Sequence, residues 1–376
     1  MTNKQSIAII GAGIVGATTA FYLSTAGYDV TIYDEGTGQA TSAAAGIICP
    51  WLSQRRNKKW YQLAATGAAF YPTLLRDLKE DSTHSDIYRQ VGTIVFKKSP
   101  ELVSKLEKIA LKRRELAPEI GELTILSPDE VKAKLPLLVS NQSALFASGG
   151  ARVDGSLLTK KLLDTATSNG ATVSNKKARL LFSTNGTYTV STSGKNQEFS
   201  TVVLAVGAWL PEILEPLGFS VDIRPQKGQL IYLEVEEETK DWPVVMPDGE
   251  KDMIPFPNGR IAIGATHEND EGYDLTVNQE KLAAMLADVA SVAPSLATAT
   301  IKEARVGTRA YTSDFAPFFG EIPGYPNLYV ASGLGSSGLT SGPIIARILT
   351  QLIMNEPTDL PVSDYPVASY VHKLTS

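Results

Sequence analysis

The chain is poor in the residues that build metal centres and covalent cross-links. Among its 376 residues there is one cysteine, Cys49, and there are three histidines. A single cysteine closes no internal disulfide, and this set offers too few soft ligands for a zinc site. No metal is expected, and a reducing cytoplasm is the expected compartment. A basic excess is missing as well, since 35 Lys and Arg stand against 40 Asp and Glu, a formal charge of −5. That balance speaks against a nucleic-acid partner, which would require a positive surface. Long apolar runs are also absent, and nothing approaches the roughly 20 residues needed to cross a bilayer. Ile7–Leu23 comes nearest, but Gly11, Gly13 and Gly16 interrupt it, and Asp29 and a second apolar run follow at once, unlike a secretory leader. What is present is ordinary globular material, 43% hydrophobic and 20% charged, in a length that suggests two or three domains.

Read along the chain, residues 6–34 give strand, glycine turn, helix and strand. Ile7–Ile10 is a short apolar run of the buried parallel type, Ala17–Ala26 has helical spacing up to Gly27, and Tyr28–Tyr33 is the next strand. Helices are expected at Tyr61–Glu80, with a kink at Pro72, and at Ser99–Leu116. A second βαβ-like passage follows, with a helix over Leu157–Ser168, an extended stretch from Thr172 and an apolar strand Val202–Val206 that runs into Gly207. From Val221 to Ile263 the character turns to β, with Gln229–Glu234 and Arg260–Gly264 set between Pro and Gly turns. Asn278–Ala290 reads as a helix and Leu328–Ala331 as a last strand. That strand leads through a glycine- and serine-rich turn to a C-terminal helix with Pro343 near its first turn. The fold class is α/β, a Rossmann-type unit with a second, mainly antiparallel β domain.

The chemistry starts at Gly11-x-Gly13-x-x-Gly16, which follows a strand and opens a helix. The first glycine allows the tight turn, the second lets a pyrophosphate approach the backbone, and the third packs helix against strand. Asp34 ends the next strand, close to the roughly 20-residue spacing at which an acid accepts the ribose hydroxyl. The helix start adds N–H donors and a positive dipole for phosphate. This is a dinucleotide site, and NAD and FAD both use it. A second glycine-ended strand far downstream, Thr201 to Trp209, suggests that distant parts of the chain share one cofactor, which favours FAD.

Beyond that unit the sequence resembles the flavoproteins of the D-amino-acid oxidase type, which include glycine oxidase, sarcosine oxidase and D-amino-acid dehydrogenase. The resemblance covers nearly the whole chain. It is carried by Ala40-Thr41-Ser42-Ala43-Ala44-Ala45-Gly46, Gly150-Ala151-Arg152-Val153-Asp154, Gly207-Ala208-Trp209 and Arg224-Pro225-Gln226-Lys227-Gly228-Gln229. It continues through Ile263-Gly264-Ala265-Thr266, Gly307-Thr308-Arg309 with Ser313-Asp314, and Gly333-Leu334-Gly335-Ser336-Ser337-Gly338-Leu339-Thr340. The resemblance implies an FAD-binding domain of residues 1–88, 146–220 and 305–376, and a substrate domain of 89–145 and 221–304. It places Gly11, Gly13, Ile14, Val15, Gly16, Asp34 and Glu35 at the cofactor. Thr41, Ser42, Ala45 and Gly46 form a loop along the pyrophosphate and under the flavin. Ala178 or its neighbour Arg179 meets the adenine, and Gly207 and Trp209 end the second strand. Gly333, Gly335, Ser336, Ser337, Gly338, Leu339 and Thr340 face the flavin's pyrimidine oxygen with backbone N–H groups. FAD is expected to be noncovalent, because the cysteine that tethers flavin in the sarcosine-oxidase branch has no counterpart near Gly307–Arg309.

For the substrate, the resemblance makes Arg309 the grip on a carboxylate, a role suited to a forked guanidinium. Arg305, outside the motif, is left a structural role. Where many relatives carry a substrate-facing tyrosine, the nearest match here is Met253. The reaction implied is oxidation of a small amino acid at its Cα–N bond by hydride transfer to the flavin, with oxygen or a quinone-type carrier as acceptor. No side-chain base is evident, and a neutral amine needs none. Two alternatives stay open: a 2-hydroxy-acid enzyme on the same scaffold, with His267 as base, and a flavoprotein subunit of a larger dehydrogenase. His84 and His372 lie outside every motif. A homo-oligomer is compatible with all of these.

Overall fold

After Ser6 the strand Ser6–Ile10 is continuously apolar, because both of its faces are covered. Continuous rather than alternating runs of this kind belong inside parallel sheets. The structure, a computed structural model, describes residues 5–81, 85–183, 186–249 and 251–374, so His84 lies outside the described residues. In it Ser6–Ile10 pairs in parallel with Asp29–Tyr33 on one side and Thr201–Leu204 on the other. Thr172–Ser174 and Leu328–Ser332 extend this sheet in parallel, and Phe318–Glu321 adds an antiparallel edge. On one face Ile7, Ile9, Val30, Ile32 and Val203 pack in a core with the helices Ile14–Thr25, Gly155–Ser168 and Gly338–Ile353. On the other, Ala8, Ile10, Val202 and Leu204 meet Leu180, Val190 and Phe199 of a small antiparallel sheet. Each fully buried Val or Ile contributes about 1.5–3 kcal/mol relative to exposure.

The second sheet has eight strands in the order Ile301–Tyr311, Arg224–Glu234, Arg260–Gly264, Asp252–Pro255, Val244–Met246, Thr93–Phe96, Ala144–Ala147 and Leu123–Leu126. All neighbours run antiparallel except Val244–Met246 with Thr93–Phe96. The mainly antiparallel character expected of this region is present. The expected domain limits at 145/146 and 304/305 both fall inside strands of this sheet, Ala144–Ala147 and Ile301–Tyr311. The second of these strands pairs with Arg224–Glu234 nearly along its length, so the Gly307-Thr308-Arg309 motif is anchored in the substrate-side sheet.

Two helices depart from expectation in their bounds. Lys58–Asp77 continues through Pro72, with Asn57 accepting the Lys59 and Trp60 N–H groups as its cap. The C-terminal helix starts at Gly338, one turn earlier than Pro343 suggested. Proline at 343 cannot donate to the Leu339 carbonyl four residues back. That carbonyl instead accepts the Tyr71 hydroxyl at 2.6 Å, which ties the two helices together at the proline.

Candidate active site

Three parallel strands deliver their carboxyl ends to one place, where Ile10 leads to Gly11, Leu204 to Gly207 and Ser332 to Gly333. The crevice lies where connections leave the central strand in opposite directions, the switch point at which doubly wound sheets hold ligands. Gly11 has φ +100°, and a Cβ there would lie 2.3 Å from the Ala205 carbonyl oxygen of the adjacent strand end. At Gly16 a Cβ would fall 1.8 Å from Gly11 O, so the turn and the helix touch through bare backbone. The Asp34 carboxylate accepts the N–H of Ala12 and of Gly36, each at 2.5 Å. It thereby fixes the glycine turn as well as lining the crevice. Thr41 Oγ1 accepts the Ile14 N–H at 3.0 Å, so the 37–46 loop is fastened over the helix start and its positive dipole.

The crevice is a cavity of about 1060 Å³ lined by Gly11, Gly13, Ile14, Val15, Asp34, Glu35, Thr41, Ala178, Gly207, Trp209, Gly335 and Gly338. Lys177 stands on the same wall and pairs with Glu212 at 2.6 Å. Ser42 and Gly333 do not line it. Ser42 donates to Gln39 O at 3.0 Å, and its own carbonyl accepts from Arg305 at 3.1 Å, so both belong to the loop's scaffold. Arg305 also pairs with Glu303 at 2.7 Å, in keeping with its structural reading. Gly333, φ +76°, packs against Ala316 and Thr312.

A second cavity of about 1340 Å³ shares Ala40, Thr41, Gly335 and Gly338 with the first. Ala45, Gly46, Ser336, Ser337, Leu339, Thr340, His267 and Arg309 line it. Its floor is the eight-stranded sheet, where Gly228, Gly264 and Gly307 line it from three neighbouring strands. The wall opposite is the turn Gly333–Gly338, held by the Trp60 indole N–H, which donates to Ser337 Oγ at 3.2 Å. Gly338, Leu339 and Thr340 stand in the first helical turn and not in the loop before it, a consequence of the earlier helix start.

Arg309 lies over the floor. Its Nη1 donates to Gln226 Oε1 at 3.0 Å and to the Thr266 carbonyl at 2.9 Å. Gln226 is held in turn by Asn269 at 2.6 Å. A Cβ on Gly228 would come within 2.7 Å of the Arg309 Cζ, so the guanidinium can lie flat only over glycine. Burial lowers the arginine's pKa, while Tyr311 and Glu268 act in the opposite sense. Beneath the Thr266 backbone, Glu268 accepts from Thr266 Oγ1 at 2.5 Å, Gln229 Nε2 at 2.7 Å and Lys281 Nζ at 2.8 Å. Burial pushes the Glu268 pKa up, but these bonds outweigh it and hold the carboxyl below its usual value.

Met253 is not at the site. It is fully buried in the core on the far side of the sheet, with Val245, Ile263 and Ile231. Successive strand residues face opposite ways, and the cavity-facing residues here are Asp252 and, across the pairing of Val245 with Met253, Met246. Neither was singled out from sequence, although alternation about the buried Ile254 marks Asp252 as its partner on that face. Cys49 lines the cavity as a buried thiol, its pKa pushed up to about 12 by burial.

Comparison with known proteins accords with this arrangement. The family model of the FAD dependent oxidoreductases matches residues 6–352. The chain belongs to that family. It is 45% identical over 368 residues to the uncharacterized oxidoreductase YurR of Bacillus subtilis (strain 168), covering 97% of this chain and 99% of that one. It is 28% identical over 356 residues to a glycine oxidase of Pseudomonas aeruginosa, covering 93% and 95%. The crystal structure of iminodiacetate oxidase (IdaA) from Chelativorans sp. BNC1 superposes with a TM-score of 0.91 at 36% identity, over 96% of this chain and 98% of that one. The protein is an FAD-dependent oxidoreductase related to the amino-acid oxidases and dehydrogenases. Its residues fit the cofactor: a glycine turn under a helix start for the pyrophosphate, acids at the ribose end, and a cavity running on toward Arg309. Among the described residues no helix is long and apolar enough to cross a membrane, and no group of three or more His, Cys, Asp or Glu could hold a metal.

Proposed function

We propose that the protein oxidises the Cα–N bond of a small amino acid, a D-amino acid, glycine or an N-alkyl amino acid, to an imine that hydrolyses to a 2-oxo acid and ammonia or an amine. The observation that carries this is Arg309, fixed through one terminal nitrogen over a glycine floor in a cavity continuous with the dinucleotide crevice. FAD, when bound, supplies the hydride acceptor at its N5. The chain's own residues bind, orient and shield. The edge of the Arg309 guanidinium away from Gln226 takes the carboxylate in two parallel hydrogen bonds. The backbone N–H groups of the 333–338 turn, at the start of a helix, would favour negative charge on a reduced flavin held there. Iminodiacetate oxidase, similar to this chain over most of its length, is named for a secondary amine one carbon from a carboxylate, the same bond type. The cofactor is held without a covalent tether, and access to the ring determines whether oxygen or a quinone-type carrier reoxidises it.

The competing reading is a 2-hydroxy-acid enzyme. Hydride loss from an alcohol needs a positioned base, and His267 is the histidine on the cavity wall. His267→Ala with FAD retained separates the two. An amino-acid enzyme keeps most of its turnover, whereas a hydroxy-acid enzyme loses about 10²–10⁴-fold with its base.

A further inference from the structure

We infer that Asp252 is the anionic partner of the substrate's amino group and takes its proton, acting as the base of the reaction. The inference rests on the reading above, in which Arg309 holds the substrate's carboxylate. Asp252 opens the strand Asp252–Pro255 and pairs with Gly264, which pairs in turn with Leu230. Residues directly opposite one another share a face of a sheet. Asp252, Gly264, Gly228 and Arg309 therefore stand on the same face, and all four line the same cavity. Because Gly264 and Gly228 carry no side chains, Leu230 lays its Cδ1 over the first, 2.4 Å from where a Cβ would stand, and the guanidinium sits above the second, so the floor between the carboxyl and the guanidinium is lined by Leu230.

The separation suits an amino acid. Two strand spacings and two residues along a strand put Asp252 about 12 Å from Gly228, backbone to backbone. A guanidinium, a carboxylate, an α-amine and a second carboxylate joined by hydrogen bonds of about 2.8 Å span roughly 8 Å. The Arg309 guanidinium already lies over Gly228, so the difference is what the reach of the Asp252 side chain has to cover. Among the described residues the Asp252 carboxyl accepts no hydrogen bond, unlike Asp34, Asp154 and Glu268, which are engaged by backbone or side-chain donors. A cavity-facing carboxyl without a protein donor is suited to a donor brought by the substrate.

The groups around it allow the proton transfer. Lys251 immediately precedes it, just before the strand, and donates to Ala265 O at 3.3 Å; Arg55, His267, Arg309 and the Cys49 thiol line the same cavity, and Met246 faces it from the neighbouring strand. Burial pushes the Asp252 carboxyl up to about 7, with Lys251 pulling the other way. A base near the working pH is the effective kind. In the step itself an ammonium N–H bond breaks, its proton moves to a carboxylate oxygen of Asp252, and the electron pair remains on nitrogen. That pair forms the C=N bond as hydride leaves Cα for the FAD that the established activity supplies.

The test is Asp252→Asn holoenzyme against wild type, with kcat/KM for the best amino acid measured from pH 5.5 to 10. For the wild type, kcat/KM should fall below about pH 7 as Asp252 takes up its proton. The variant should lack that limb, lose about 10²–10⁴-fold near pH 7, and recover with rising pH as the free amine becomes available. Propionate, titrated by its effect on the flavin spectrum, should bind the variant at least as tightly as the wild type, since its carboxylate meets only Arg309. A variant with wild-type kcat/KM and an intact acid limb overturns the inference, and so does weakened propionate binding with an unchanged pH profile. If the Asn variant does not retain FAD, Asp252→Glu decides: an acid limb displaced with the new carboxyl supports the assignment, and an unmoved one refutes it. Failure of the functional reading itself looks different, because then no amino acid reduces the wild-type flavin at any pH.

Discussion

Removing the Arg309 guanidinium should cost substrate recognition far more than cofactor binding. It sits half-buried over Gly228, with one nitrogen committed to Gln226 and the Thr266 carbonyl. A charged pair shielded from water in this way loses about 2–5 kcal/mol when one partner is truncated, against at most about 1 kcal/mol for an exposed ion pair. At about 1.4 kcal/mol per decade, Arg309→Ala should lower kcat/KM by roughly 30- to 4,000-fold. Arg309→Lys keeps the charge but not the fork, and should fall between the two. The assay is steady-state oxidation with and without the substrate's carboxylate, alongside FAD content. Wild type should strongly prefer the amino acid over the corresponding amine, and Arg309→Ala should erase most of that preference while FAD content stays level. Near-normal kcat/KM in the alanine variant, or wild-type oxidation of the bare amine as fast as the amino acid, would refute the assignment.

Two further outcomes follow from the same geometry. Gly228→Ala places a methyl 2.7 Å from Cζ of Arg309 and should push the guanidinium aside. A displacement near 1 Å can cost about 10²-fold, so kcat/KM should drop toward the Arg309→Ala value with FAD retained, and a variant with unchanged kinetics would show that the guanidinium does not bind where it lies. Acid precipitation of the purified yellow protein should leave the colour in the supernatant, because Cys49 is buried with its thiol pushed up to about 12 and no other cysteine exists to form a tether; colour in the pellet would contradict a noncovalent cofactor.

The dinucleotide crevice was legible in the sequence because its requirements are local. Gly11, Gly13, Gly16 and Asp34 each answer a backbone approach within one βαβ unit, and Gly11, Gly13 and Asp34 line the crevice while Gly16 packs behind it. Arg309 could be singled out only through its family motif, since its partner Gln226 comes from another strand and Thr266 from the segment that follows a third. Met253 shows where reading by nearest match fails. A one-residue slip in a strand exchanges the two faces, and it exchanged a core methionine for the cavity-facing Asp252. The buried Ile254 beside it was a usable marker of that face, but which face looks into the cavity depends on pairing with Gly264 and Val245, partners that only the folded sheet supplies. The C-terminal helix starts earlier than its proline suggests for a related reason. Pro343 normally marks a first turn, but here Tyr71, from a helix far away in sequence, satisfies the carbonyl that the proline leaves without a donor.

The central claim is that an amine, held by its carboxylate, gives hydride to a bound flavin. Its most direct test is anaerobic mixing of the FAD-loaded protein with a panel of D-amino acids, glycine, sarcosine, iminodiacetate, L-proline and 2-hydroxy acids, following the flavin absorbance. Bleaching by at least one amino acid is expected, with formation of the matching 2-oxo acid and no reduction by the hydroxy acid of the same skeleton. Bleaching by a hydroxy acid with every amino acid inert would contradict the claim.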